Sequence, residues 1–146
     1  MYNSPILAPV VALVAWTLVM MLWMYATRFP AMRGKGISLK GRVGGRGAAL
    51  DGVVEDEVQW KAHNYNHLME QPTLFYAIAI TLALLGDGDV WINVWLAWAY
   101  VGLRILHSLI QAISNVVRWR FIAFSLASLC LLGLTVHAAA HLIHHS

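Results

Sequence analysis

The chain has 146 residues, one domain's worth, of which 60% are hydrophobic and only 12% charged. An average soluble domain carries roughly 25% charged residues, so this composition excludes an ordinary soluble domain and indicates an integral membrane protein. The formal charge of +3 comes without a basic patch interleaved with aromatics, which argues against a nucleic-acid partner, and a lone cysteine, Cys130, excludes an intramolecular disulfide.

In chain order, the first span is expected over about 6–27. Tyr2-Asn3-Ser4-Pro5 leads into it with a proline suited to a first helical turn. About 20 uncharged residues are enough to cross a hydrocarbon core of ~30 Å. The run is too long for a signal peptide and lacks a positive n-region and a small-x-small site, so a retained span is expected. Arg28 ends it on the cytoplasmic side, and a loop over about 28–56 follows, rich in glycine and in early Lys/Arg. Its glycines do not match the P-loop pattern, which leaves a flexible loop over an anionic surface or ligand. Asp51, Glu55, Asp56 and Glu57 close the loop, and acids suit the first turn of the next helix.

The second span is expected over about 57–85. Its first half is polar, with Lys61, His63, Asn64, Asn66, His67, Glu70 and Gln71 preceding Pro72 and an apolar run. That half must protrude from the bilayer or be covered by protein. Pro72 removes a backbone hydrogen bond and is expected to kink the helix. Gly86-Asp87-Gly88-Asp89 makes a tight turn on the opposite side, and a third span over about 90–112 opens with the interfacial aromatics Trp91, Trp95, Trp98 and Tyr100. A short connection holding Arg118 leads to the fourth span, about 120–141. All Lys and Arg except Arg104 lie on the side of the first loop and the third-to-fourth connection. Positive charge marks cytoplasmic loops, so four spans with both termini non-cytoplasmic are expected; a bacterial-type inner membrane is the expected location.

Polar residues converge on the cytoplasmic half. Arg104 lies 13 residues past Trp91, roughly 20 Å into the membrane, where an arginine costs at least about 2.5 kcal/mol and faces a partner or cavity. Arg104, His107, Gln111 and Asn115 share one helix face, flanked by Ser108 and Ser114. Glu70 is the only acid inside a span, Asn66 precedes it by one turn, and Arg120 opens the fourth span. Three helices are thus expected to bring these groups to a common level. An Arg104–Glu70 pair could simply lock helices together. Alternatively, the excess positive charge holds an anionic ligand. At the tail, His137, His141 and His145 are spaced i, i+4, i+8 and could face a metal; a hydrated interfacial face is the expectation, and no metal is assigned. Haem ligation between His107 and the tail histidines is excluded because they lie near opposite faces.

Asn66, Glu70 and Pro72, the Arg104-x-x-His107 pair and Arg120 thirteen residues after His107 together resemble the MAPEG family, membrane-associated proteins in eicosanoid and glutathione metabolism. The four-span plan, the long first loop and the short third-to-fourth connection are similar to that family too. The resemblance covers nearly the whole chain and implies an all-α, four-helix transmembrane bundle that forms a homotrimer. It implies glutathione as co-substrate, bent between neighbouring subunits, with Asn66, Glu70, Arg104, His107 and Gln111 in the polar shell and Arg28 on a glutathione carboxylate. Arg120 matches the catalytic position whose guanidinium stabilises the thiolate, and a lipophilic electrophile or peroxide would arrive through the bilayer. The chain departs from the family pattern in having four residues rather than three from the asparagine to the acid, Ala62 where an arginine is usual, and Gln111 and Phe124 where tyrosines are common. The alternative on the same fold is a non-catalytic scaffold that binds lipid or a partner protein, its basic loop against anionic headgroups.

Overall fold

The computed structural model describes residues 4–145. Tyr2 and Asn3, read as part of the approach to the first helix, lie outside the described residues, as does Ser146. The chain folds as α1 (Leu7–Gly34), α2 (Asp56–Leu68), α3 (Pro72–Leu85), α4 (Trp91–Ile113) and α5 (Val117–His145), with a 3₁₀ turn at Gly47–Leu50 in the first loop. No strand occurs among the described residues. α1, α4, α5 and the α2–α3 pair taken together are each long and apolar enough to cross a membrane, giving an all-α bundle of four spans.

The second span is not one kinked helix but two helices. Residues 69–71 leave the helical path, and Pro72 restarts it as the first residue of α3, where its missing N–H costs nothing. α1 in turn runs past Thr27 to Gly34, through Pro30. The extra length carries Met32 onto Leu50 and Val54 and gives the loop a small apolar anchor of its own.

The main core is a column of small and large apolar groups. Leu13 and Met20 of α1 meet Leu68, Phe75, Ala79 and Leu82 of the second span, and Ala97, Tyr100 and Val101 of α4 meet Ala127, Leu131 and Leu134 of α5. Phe75 and Tyr100 stack with centroids 4.4 Å apart. Outside this column Val11, Leu18, Leu22, Leu84, Leu129 and Leu132 are exposed. A helix apolar on every side suits a lipid surround and not water.

The start of α1, the α3–α4 turn and the end of α5 meet at one end of the bundle. The Ile6 N–H donates to the Gly88 carbonyl (3.0 Å), His141 Nδ1 lies 2.7 Å from Asp87 Oδ2, and His137 Nδ1 lies 2.6 Å from Asn93 Oδ1. Gly86, at φ +90°, closes α3 in the left-handed region that glycine enters without strain. Gly88 is there for space, because a Cβ would run into the Ser4 hydroxyl and lie 3.0 Å from both the Ala83 Cα and Ile6. Gly88→Ala is therefore expected to lower stability by about 1–3 kcal/mol, measured as a fall in thermal midpoint in detergent.

Candidate functional site

The buried positions of α4 recur at helical spacing: Asn93, Ala97, Tyr100, Val101, Arg104, His107, Ser108, Gln111. Past Asn93 that face is mainly apolar, and it turns polar toward the loop end of the bundle. The polar part meets the last turns of α2, and Ser108 is the first joint. Its hydroxyl oxygen accepts from Asn64 Nδ2 (2.8 Å) and from Trp16 Nε1 (3.0 Å), tying α1, α2 and α4 together.

Arg104 is the second joint and the largest fully buried side chain, 0% exposed. Its Nη2 donates to the His67 carbonyl and lies against His67 Nδ1, both at 3.0 Å. The break at 69–71 makes this possible. His67 falls in the last turn of α2, where its carbonyl has only a long bond from the Glu70 N–H (3.4 Å) and the helix end carries partial negative charge. The cation is thus held by a helix terminus and an imidazole. No ion pair joins it to Glu70 among the described residues, and its Nε and Nη1 have no partner. An ionised, half-satisfied guanidinium in a dry interior is costly, and such groups carry an explanation beyond packing.

Arg120 enters from the first turn of α5. The chain reaches it through Asn115, the one non-glycine residue at positive φ (+53°) among those described, which ends α4 and sends its N–H back to the Ile110 carbonyl. Asparagine tolerates this conformation, and its Oδ1 accepts from Arg120 Nη1. Arg120 Nε is buried and unpaired. Arg120 opens onto a cavity of about 180 Å³ lined also by His67, His107, Val117, Phe121 and Phe124. Arg104 sits behind one wall, its Cζ 5.7 Å from the Phe124 ring centre, and no carboxylate lines the space.

The residues expected from sequence therefore divide. Arg104, His107 and Arg120 come together, and Gln111 lies one turn beyond His107 on the same buried face, its Oε1 unpaired. Asn66 and Glu70 do not join them, since both are exposed on the outer surface. Arg28 belongs to a different group: its Nη2 donates to Gln59 Oε1 (2.9 Å), Gln59 Nε2 donates to Asp51 Oδ1 (2.6 Å) and to the Gly47 carbonyl (3.2 Å), and His63 lies 3.0 Å from the same Asp51 oxygen. The Gln59 amide, followed by the His63 imidazole, holds the Asp51 carboxyl below the usual carboxylate range. A depressed carboxylate contributes above its unfolded pKa and is lost only as pH falls through the folded value, so this latch is complete at neutral pH. Gln59→Leu is expected to free the 3₁₀ turn, costing about 1–3 kcal/mol locally and read as faster hydrogen exchange and proteolysis across Gly47–Leu50.

Sequence reasoning assigned no role to His67 and Asn64, or to Asn115 as the hold on Arg120. A usable signal was Leu68, the one leucine of the polar stretch, which marks the inward direction and places Asn64, four residues earlier, on the same face. At the opposite end His137 and His141 are engaged by Asn93 and Asp87, and the His145 side chain lies outside the described residues. A family model described as the MAPEG family matches residues 6–140. No curated protein and no solved structure matches the chain.

Proposed function

Because the chain belongs to the MAPEG family, we propose that it is a membrane-bound, glutathione-dependent transferase or peroxidase acting on lipophilic electrophiles, with Arg120 stabilising the thiolate. The observation that carries this reading is Arg104, wholly buried with Nε and Nη1 unpartnered, beside a cavity that also holds Arg120 and has no carboxylate in its walls. Two cations with spare donors call for an anion.

The donor set suits glutathione. Arg120 lines the cavity with its Nε free to donate to the sulfur, and Arg104, unpaired at Nε and Nη1, lends its charge from behind the Phe124 wall. The cavity, about 180 Å³, is smaller than the roughly 300–1,000 Å³ of common ligand sites, so it suits the thiol end alone. The rest of the ligand then lies between this subunit and its neighbour in a homotrimer. Only there could the outward-facing Asn66 and Glu70 reach it.

The thiolate is the nucleophile, and a cation at hydrogen-bond range pulls a thiol pKa down from about 8.5 toward working pH. Phe121 and Phe124 keep water from the sulfur, which strengthens the pull of Arg120. Val117 and Phe121 are exposed on the outer side of the same cavity, a route by which a lipophilic electrophile leaves the bilayer and meets the sulfur. The concentration of Lys and Arg at this end of the bundle supports a site at the cytoplasmic face with both termini on the other side.

Titration calorimetry of the purified protein with glutathione, combined with ultraviolet absorbance of the bound thiolate, tests the reading. Saturable binding with thiolate formed at neutral pH is expected. Absence of both would leave the scaffold alternative standing.

A further inference from the structure

We propose that His67, locked by Arg104 as the neutral tautomer protonated on Nε2, donates a hydrogen bond to the anionic sulfur held beside Arg120. The proposal deepens the glutathione reading and rests on it.

A guanidinium only donates. With Arg104 Nη2 3.0 Å from His67 Nδ1, that nitrogen must accept, so it carries no proton and the ring's one proton sits on Nε2. The second hydrogen of the same Nη2 goes to the His67 carbonyl, also at 3.0 Å. One rigid, planar group therefore grips both the ring and the backbone of His67. Protonating Nδ1 would aim an N–H at an arginine N–H, which this geometry forbids. The ring plane is set independently: Phe124 packs edge-on against it (centroids 5.5 Å, 81°), and the His107 ring lies 4.8 Å away.

With Nδ1 engaged behind, Nε2–H is the polar group His67 has left to present. The ring is half-buried and forms part of the wall of the same cavity as Arg120. Among the described residues the hydrogen bonds of His67 run through Nδ1 and the carbonyl and leave Nε2 free, and no acid lines the cavity to compete for its proton. A neutral N–H donor opposite a guanidinium gives the sulfur two donors from different helices. The arrangement also gives the buried Arg104 a purpose at the site apart from direct contact, since it fixes which nitrogen of His67 holds the proton.

Two substitutions in the full-length protein separate the functions of the ring. His67→Asn keeps an oxygen near the Nδ1 position for Arg104 but removes the Nε2–H donor. His67→Gln places an amide N–H near the Nε2 position. Thiolate absorbance of bound glutathione is followed against pH in each. His67→Asn is expected to raise the apparent thiol pKa by about one unit, a tenfold loss of thiolate at pH below that value, with affinity for glutathione little changed; His67→Gln is expected to recover part of the shift. A His67→Asn titration that coincides with wild type overturns the proposal. Failure of wild type to bind glutathione instead removes the reading beneath it. Should His67→Asn fail to fold, imidazole nitrogen NMR of the wild type decides: a protonated Nε2 and bare Nδ1, scrambled by Arg104→Met, support the proposal, and a protonated Nδ1 refutes it.

Discussion

Arg104→Met is expected to abolish measurable glutathione binding while leaving the thermal midpoint in detergent unchanged or higher. The two halves of this outcome have separate causes. Arg104 is fully buried, its Nε and Nη1 are unpaired, and the groups facing it are a helix-end carbonyl and a neutral imidazole, not a carboxylate. A methionine of similar length fills the space and removes an expensive, half-satisfied charge, and such exchanges of buried ions for apolar groups are often neutral or stabilising. The ligand, however, loses the charge behind its cavity and the hold on His67, interactions of a charged group worth about 1.5–3 kcal/mol each, so binding weakens by roughly a hundredfold to ten-thousandfold. If Arg104 were instead a helix lock, the same substitution would cost about 3–5 kcal/mol of stability. Calorimetry and thermal unfolding on one preparation decide between them.

For Arg120→Ala the expected result is a pH profile. With the guanidinium gone, the bound thiol returns toward about 8.5, and the conjugation rate for a generic electrophile at neutral pH falls by about 10²–10³. A depressed thiol pKa supplies thiolate at every pH above the depressed value, so the wild-type rate is flat from about pH 7 upward. The variant's rate climbs about tenfold per pH unit until the free thiol ionises near 8.5 and there regains part of its loss. Arg120→Lys keeps the charge but gives up the planar hold on Asn115, and an intermediate rate is expected. A variant equal to wild type across the range would remove Arg120 from the chemistry. Stability discriminates little here, because Arg120 is only partly buried and its side-chain partner among the described residues, Asn115, is five positions away.

Much of the architecture follows from local chemistry and was legible before any coordinates. Apolar length sets the four spans, the excess of Lys and Arg at one end separates the two faces, and the spacing of Arg104, His107 and Gln111 marks one buried face of α4. Arg120 is legible too, as a cation opening the last span.

The α2 residue that meets the buried arginine lies one position from the asparagine expected there, for a definite reason. Successive helical residues point about 100° apart, so Asn66 faces outward while His67, next to it, faces Arg104. Pairing Asn66 with Glu70 assumed one continuous helix. α2 ends at Leu68, and Glu70 falls in the break, where helical periodicity no longer says where a side chain points. Counting three residues back from the acid lands on His67, the side chain that meets the buried arginine.

The sequence by itself thus determined the membrane class, the four spans and the family, because hydrophobic length and charge placement act through the bilayer and need no tertiary contact. Only the tertiary structure decided what answers that charge. Whether Arg104 meets Glu70 or His67, whether Arg28 joins the site or ties down a loop through Gln59 and Asp51, and whether His141 is held by Asp87 all depend on pairings across 8 to 54 positions of chain. Such pairings depend on where a helix stops and on which helix lies opposite, and a local pattern that marks one helix's inward face names neither.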